Sequence, residues 1–559
     1  MSPGLSEYNV RQPVEPFEST DDARFEGDSD GDPESVFPQS IASGGPTPRG
    51  VILWTRLDPN IYRKEESIAV EVGIDSEFSD ITYCGTIKAD AIGPAHDYTV
   101  SIDLDGLLEP DSEYYYRFVY RDTRSRIGRC RTLPRPDASP SSLRFGVVAC
   151  QDYQNGYYGA YHHLAEENVD FLVHLGDLIY NSAAGQFRGL GSEAYPGRKI
   201  SLPSGRELTW MINDFRELYR TYLSTPALQR ALEAHTLIRT WDDHAVADNR
   251  YWDYDADAPK APNHPRGDDP AFMTRLTAAG IQAYSEYTPA RIDYDPEADH
   301  LHDQFHLWRS VEFGDLVTLL VTDERLFRSP PPCVDSFLPS WSPTCTERTD
   351  PDRTMLGAEQ LDWFLEGIRD AESTWTVWAN EVLTLPFRLG VDPISIYPLQ
   401  DSWDGYVHER QRILDLLARD DIGTFVTLTG DLHSSIAGYQ RTSYPGPLEN
   451  RTSPSAGGSR AGIELMTPAV TSVNLAEAIG VESGLLAKLT RPIFSQLIEL
   501  QNPHIESFDS HHWGYSIVEF TETDCTYSVY EVEKTDRPPA TTKTLLRRLR
   551  IPVGRVEIQ

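Results

Sequence analysis

The sequence predicts an α/β chain in which a small β-sandwich precedes a larger domain of mixed sheet and helices. Residues 37–133 alternate apolar and polar side chains in short runs separated by Pro, Gly, Asp and Ser, which reads as β-sandwich. From residue 143 the runs become nearly continuous and apolar, and the first is followed by a turn, an amphipathic stretch and a second run. That is the order of a β-α-β unit. The length of 559 residues allows a large core and roughly two to four domains.

Residues 1–36 hold ten acids and two arginines with few large apolar side chains, so they read as a solvated, loosely ordered acidic arm. Strands are expected at 51–57, 67–74, 81–87, 97–104 and 113–121. The stretch LLEPDSEYYYRF (107–118) resembles the tyrosine-corner region of fibronectin type III modules, so 37–133 reads as an immunoglobulin-like domain. Residues 137–142, with Pro140, form the linker. In the larger segment, 143–535, strands are expected at 143–150, 169–177, 236–243, 316–323, 374–381 and 423–431. Helices are expected near 160–168, 206–223, 272–286, 357–370 and 408–418. Segments 183–205, 251–270 and 440–460 read as loop insertions, and Gly-rich 455–464 as a flexible one without the ending of a nucleotide loop. The C-terminal tail, 536–559, is locally basic and reads as a helix docked on the acidic body.

Charge narrows the function. The chain carries 86 Asp and Glu against 50 Lys and Arg, net −36, which argues against general affinity for nucleic acid or anionic membrane. Nucleic acid remains open only as a substrate. Seven lysines against 43 arginines on so acidic a chain point to a halophilic protein, since carboxylates keep a surface hydrated where salt screens their repulsion. No run of 18 apolar residues is present, so no membrane span is expected. The N-terminus lacks an export signal, which leaves a cytoplasmic protein or a processed exported one. Six cysteines do not make a disulfide scaffold, although Cys333 and Cys345 bracket a Pro- and Ser-rich loop and can pair if exported.

Four expected strand ends carry metal-type residues. They are Cys150 with Gln151, Asp152 and Asn155; Asp177 with Tyr180; Asp242-Asp243-His244; and Asp431 with His433. Ligands in α/β folds gather outside the carboxyl ends of strands, so the four ends can converge. Singly, each is ordinary: a terminal Cys is a small core residue, an Asp after Gly a turn former, a lone His structural. Together, thiolate, phenolate and carboxylate are anionic donors suited to ferric iron. Asp-x-His on an extended segment puts both side chains on one side.

These segments resemble the PhoD-type alkaline phosphatases, relatives of the metallophosphoesterase and purple acid phosphatase group. The resemblance covers about 37–535 and rests on SIASGGPTPRGVILWTRL (40–57), ACQDYQNGYYGAYHHLAEENVDFLVHLGDLIY (149–180), TWDDHAVADN (240–249), LVTDERLFRSPPPC (320–333), DSWDGY (401–406) and LTGDLHSS (428–435). It implies a four-layer αββα core after the β-rich module, and a centre of one Fe(III) with Ca²⁺. Cys150, Asp177, Tyr180 and His433 would bind iron, with Asp177 bridging to calcium, Asp243 on calcium and His244 as proton donor. Asp431 stands where relatives carry a Gly-His-x-His histidine, and Asn380 where a second-metal ligand is expected. Glu381 follows where many relatives have an uncharged residue. The expected reaction is hydrolysis of small-molecule phosphate esters, monoesters, diesters or both, by a metal-bound hydroxide. Arg325 and Arg328 are candidate phosphate clamps, each equally readable as a surface arginine. No Gly-x-Ser-x-Gly sequence lies between an expected strand and an expected helix, where a nucleophile elbow would sit. The alternative is a non-catalytic calcium- or substrate-binding surface protein.

Overall fold

The continuous apolar runs become the centres of two facing sheets. A computed structural model describes residues 15–16, 31–183, 185, 195–333, 345–390, 395–419, 422–444, 457–480 and 484–559. Among them, one sheet runs Lys543–Pro552, Asp524–Val532, Gly514–Thr521, Ser142–Val148, Phe171–Leu175, Thr236–Thr240, Ile41–Thr47, Gly50–Arg56, Thr99–Asp103. The other runs Arg309–Phe313, Val317–Val321, Trp375–Ala379, Thr424–Thr429, Arg460–Met466, Ser435–Arg441, Ile505–Asp509.

Apolar side chains on both faces of these strands require cover on both sides. Between the sheets, Phe145, Val147, Phe171 and Val173 meet Phe313, Leu319, Val377 and Val426. The ring of Phe313 stands edge-on to Phe145 at 5.3 Å and to Phe171 at 5.2 Å. On the outer face of the first sheet, helices Ile212–Leu223 and Pro270–Tyr287 bury Phe215, Leu218 and Tyr284 in one cluster with Leu172 and Leu237. Helices Ala358–Asp370 and Val407–Leu417 pack Phe364, Leu365 and Ile413 with Leu320, Trp378 and Phe425 of the second sheet. The result is the four-layer αββα arrangement.

Ser142–Val148, Phe171–Leu175 and Thr236–Thr240 are parallel, as are Val317–Val321, Trp375–Ala379 and Thr424–Thr429. Parallel strands end on one edge, so each sheet presents its carboxyl-end loops together.

The β-rich segment divides between two sheets. Ile68–Gly73, Ile81–Ile87 and Glu113–Tyr120 belong to a separate six-stranded sheet, whereas Ile41–Thr47 meets Thr236–Thr240 through Leu237 and Gly44 and extends the nine-stranded one. The extension covers an edge that would otherwise expose unpaired backbone. Val51, Leu53, Val70, Val72, Ile102 and Phe118 fill the module's core. The Glu109 N–H donates to the Tyr114 hydroxyl at 3.0 Å, a tyrosine-corner bond.

Two expectations are corrected. The basic C-terminal segment is the strand Lys543–Pro552, paired antiparallel along Asp524–Val532, where it covers that strand's otherwise open edge and packs Leu546 and Leu549 against the intersheet core. The 455–464 stretch contributes Arg460–Met466 to the interior of the second sheet; residues 455–456 lie outside the described residues. The acidic arm lies mostly outside them too, apart from Glu15–Pro16, paired with Thr86 and Gly85, and the Asp32-capped helix Pro33–Val36. Cys333 and Cys345 are joined as a disulfide. No helix of the described residues is long and apolar enough to cross a membrane.

Candidate metal centre

The site is built from turns that leave strand ends sharply. Cys150, Asp177, Asp431 and His433 all adopt left-handed backbone, with φ of 58°, 56°, 63° and 54°. Non-glycine residues avoid this region, at a cost of about 1–3 kcal/mol each. Four metal-type side chains sharing that strain is a geometric reason to read them as one site. Gly176 has φ of 109°, and a Cβ there would lie 2.6 Å from the Cβ of Asp242. Glycine thus lets the Asp177 turn approach the Asp242 turn closely.

Two trios result. Donor atoms of Cys150, Asp177 and His433 lie within 4.8 Å of one another, and so do those of Asp177, Asp243 and His244. Asp177 belongs to both. Tyr180 joins the first: its hydroxyl lies 3.2 Å from His433 Nε2 and accepts a bond of 2.6 Å from Ser472 Oγ. The His433 Nδ1–H donates to the Val473 carbonyl at 2.5 Å, which leaves Nε2 as the nitrogen turned toward Tyr180 and the trio. Burial lowers its pKa to about 4, so the ring is neutral at pH 7.

In the second trio, Asp243 Oδ2 accepts the Asn249 N–H at 2.7 Å. With the Asn181 amide oxygen 2.9 Å from His244 Nδ1, that nitrogen carries the hydrogen. His244 Nε2 then faces Asp243 at 3.9 Å and Asp248 at 3.8 Å, and its ring lies 4.3 Å from that of Tyr180.

Negative charge is crowded here. Burial pushes the Asp177 carboxyl far above its usual range, and Asp242, Asp243 and Asp431 push it further. The Cys150 thiol is raised by burial, then by Asp177, Asp242 and Asp431. Burial would raise Asp243 as well, but Arg325 and then His244 hold it below the usual carboxylate range. Asp177 Oδ1 is buried and accepts no hydrogen bond. An orphaned carboxylate oxygen between two donor trios fits a pair of adjacent cations bridged by Asp177.

Arg325 and Arg328 are fully buried, so neither stands as a clamp on the cleft wall. Arg325 donates to Asp242 and, at 2.9 Å, to Asp431, and so ties together loops from the two sheets. Arg328 donates to the carbonyls of Arg250 and Asp401. Asp431 lies in neither trio, and one of its oxygens is committed to Arg325. Asn380 is not brought into the group either: its amide oxygen accepts from Trp403 Nε1 at 3.1 Å, and its NH₂ donates to Val382 O and Thr429 Oγ1. Beside it, Glu381 and Glu324 each accept the other's backbone N–H, at 2.9 and 3.0 Å. Asn181 and Ser472 carry no sequence expectation, and Asp242 is assigned no role of its own. Asp242 is foreshadowed by the Asp-Asp-His run, whereas Ser472 reaches Tyr180 across 292 residues and leaves no local signal.

The family described as PhoD-like phosphatase matches residues 145–529, and its N-terminal domain matches residues 24–134. Alkaline phosphatase D of Bacillus subtilis (strain 168) is 33% identical over 407 residues, 72% of this chain and 65% of that protein's length. The solved structure titled "Structure of PhoD" superposes with a TM-score of 0.78 at 27% identity, covering 94% of this chain and 92% of that one. This chain belongs to the PhoD-like phosphatase family.

Proposed function

We propose that the chain hydrolyses small-molecule phosphate esters, monoesters, diesters or both, in neutral to alkaline solution at an iron–calcium centre. The observation that carries this reading is the pair of donor trios sharing Asp177 beside His244. The name of the relative, alkaline phosphatase D, supports the reaction class. Cys150, Tyr180, His433 and Asp177 would hold ferric iron, since thiolate, phenolate and carboxylate are anionic donors. Asp177 and Asp243 would hold calcium through hard oxygen atoms. When bound, such a pair lowers the pKa of water and neutralises the phosphoryl oxygens.

The protein's own groups do the rest. His244 Nε2 delivers a proton to the departing alkoxide, with Nδ1 held by Asn181 and with Asp243 and Asp248 facing Nε2. Arg325 orients Asp242 and Asp431 from below rather than touching substrate. The test is turnover of p-nitrophenyl phosphate and bis(p-nitrophenyl) phosphate by protein supplied with iron and calcium, against chelated protein. Turnover of either ester that depends on both metals is expected. Absence of both activities in metal-replete protein would contradict the reading and favour a non-catalytic binding protein.

A further inference from the structure

We propose that Ser472 is a positioning residue whose hydroxyl hydrogen is directed at the Tyr180 oxygen, and that this bond sets how strongly the phenolate donates to the metal. The inference rests on the ferric reading of Cys150, Asp177, Tyr180 and His433. Ser472 is 1% exposed. Its Oγ accepts the Asp152 N–H at 3.0 Å and donates to the Tyr180 oxygen at 2.6 Å. An amide can only donate, so the serine oxygen is the acceptor there and its one hydrogen is left for the tyrosine.

The serine is held by bonds that do not involve its hydroxyl. Its carbonyl accepts from Trp513 Nε1 at 2.9 Å, and its N–H donates to the Cys150 carbonyl at 3.3 Å. Next to it, Thr471 Oγ1 donates to the Asp152 carbonyl at 2.7 Å. The Ser472 loop is therefore laced to the Cys150 loop, and the direction of the hydroxyl is fixed.

Two neighbouring residues then act on two ligands in opposite senses. The Val473 carbonyl accepts from His433 and makes its ring a stronger base. Ser472 donates to Tyr180, withdraws electron density from the oxygen and makes it a weaker one.

Ser472→Ala keeps the backbone contacts and deletes only the hydroxyl; Ser472→Thr restores it. Iron-loaded wild type, both variants and Tyr180→Phe are compared by visible absorption, iron retention against a chelator, and thermal melting. Wild type is expected to show a phenolate-to-iron band. In Ser472→Ala the phenolate, relieved of that donor, should give more charge to iron, so the band should move to longer wavelength and iron should be retained more tightly against the chelator. Ser472→Thr should return both toward wild type. An unmoved band and unchanged retention in Ser472→Ala overturn the proposal, whatever the melting temperature. If that variant does not fold, Ser472→Cys, a weaker donor, must give an intermediate shift; an unmoved band there overturns it equally. A colourless iron-loaded wild type, or a band left unchanged in Tyr180→Phe, instead removes Tyr180 as a ligand, and the proposal falls with it.

Discussion

His244 presents Nε2 to the cleft because Asn181 occupies Nδ1. A proton donor matters in proportion to how badly the leaving group needs the proton. His244→Ala should therefore lower kcat for an alkyl phosphate about 100–10,000-fold, and cost far less for a p-nitrophenyl ester, whose phenolate leaves unaided. Equal losses on the two esters, measured side by side, would remove His244 from that role. At this scale the sequence is readable where chemistry sits in a short run, as in Asp177 with Tyr180 or Asp243 with His244. It is silent where partners come from afar: nothing marks Asn181 as the holder of His244 or Ser472 as the donor to Tyr180. Arg325 and Arg328 lie in a motif and are equally readable as clamp or surface residue; only their burial turns them into supports for the loops.

The strands that deliver these residues were legible when both faces are apolar, as in Phe171–Leu175 and Thr424–Thr429. Three of those missed are just as buried but carry small or polar residues inside. Ile41–Thr47 contains two glycines and a proline, and Ser435–Arg441 and Arg460–Met466 bury Gln440 and Glu464. Their polar groups are satisfied by distant partners: Gln440 donates to Thr384 and Thr427, and Glu464 accepts from Thr384 and Thr429. A window along the chain cannot see such pairing.

Beneath the strand ends, the Glu324–Glu381 pair makes stability depend on pH. Burial pushes Glu324 up to about 7, and burial followed by Glu324 and Asp323 pushes Glu381 well above the usual range. An unfolded glutamate titrates near 4.5, so the folded state keeps its proton longer. The stability from Glu324 is complete below pH ~4.5, is lost as pH rises to ~7, and is flat above that; the loss is on the order of 3 kcal/mol. Metal-free protein should thus unfold at lower urea at pH 7.5 than at pH 5, and Glu324→Gln should flatten that difference. Identical pH slopes in wild type and Glu324→Gln would contradict Glu324 as a source of the pH dependence.

Across the whole molecule, a net charge of −36 sets the solution behaviour. Carboxylate repulsion opposes compaction, and salt screens it over roughly 10 Å at 0.1 M and roughly 3 Å at 1 M. Thermal stability is expected to climb steeply from dilute buffer to molar KCl; equal melting temperatures would end the halophilic reading. The four-layer body does what its topology requires, bringing the carboxyl ends of two parallel strand sets onto one cluster bridged by Asp177. The most direct test of that cluster is anomalous diffraction from crystals of active protein grown with iron and calcium. The account predicts an iron peak bonded to Cys150 Sγ, Tyr180 Oη, His433 Nε2 and Asp177, with a lighter ion between Asp177 and Asp243. Fully active crystals with no iron peak among those four residues would contradict it.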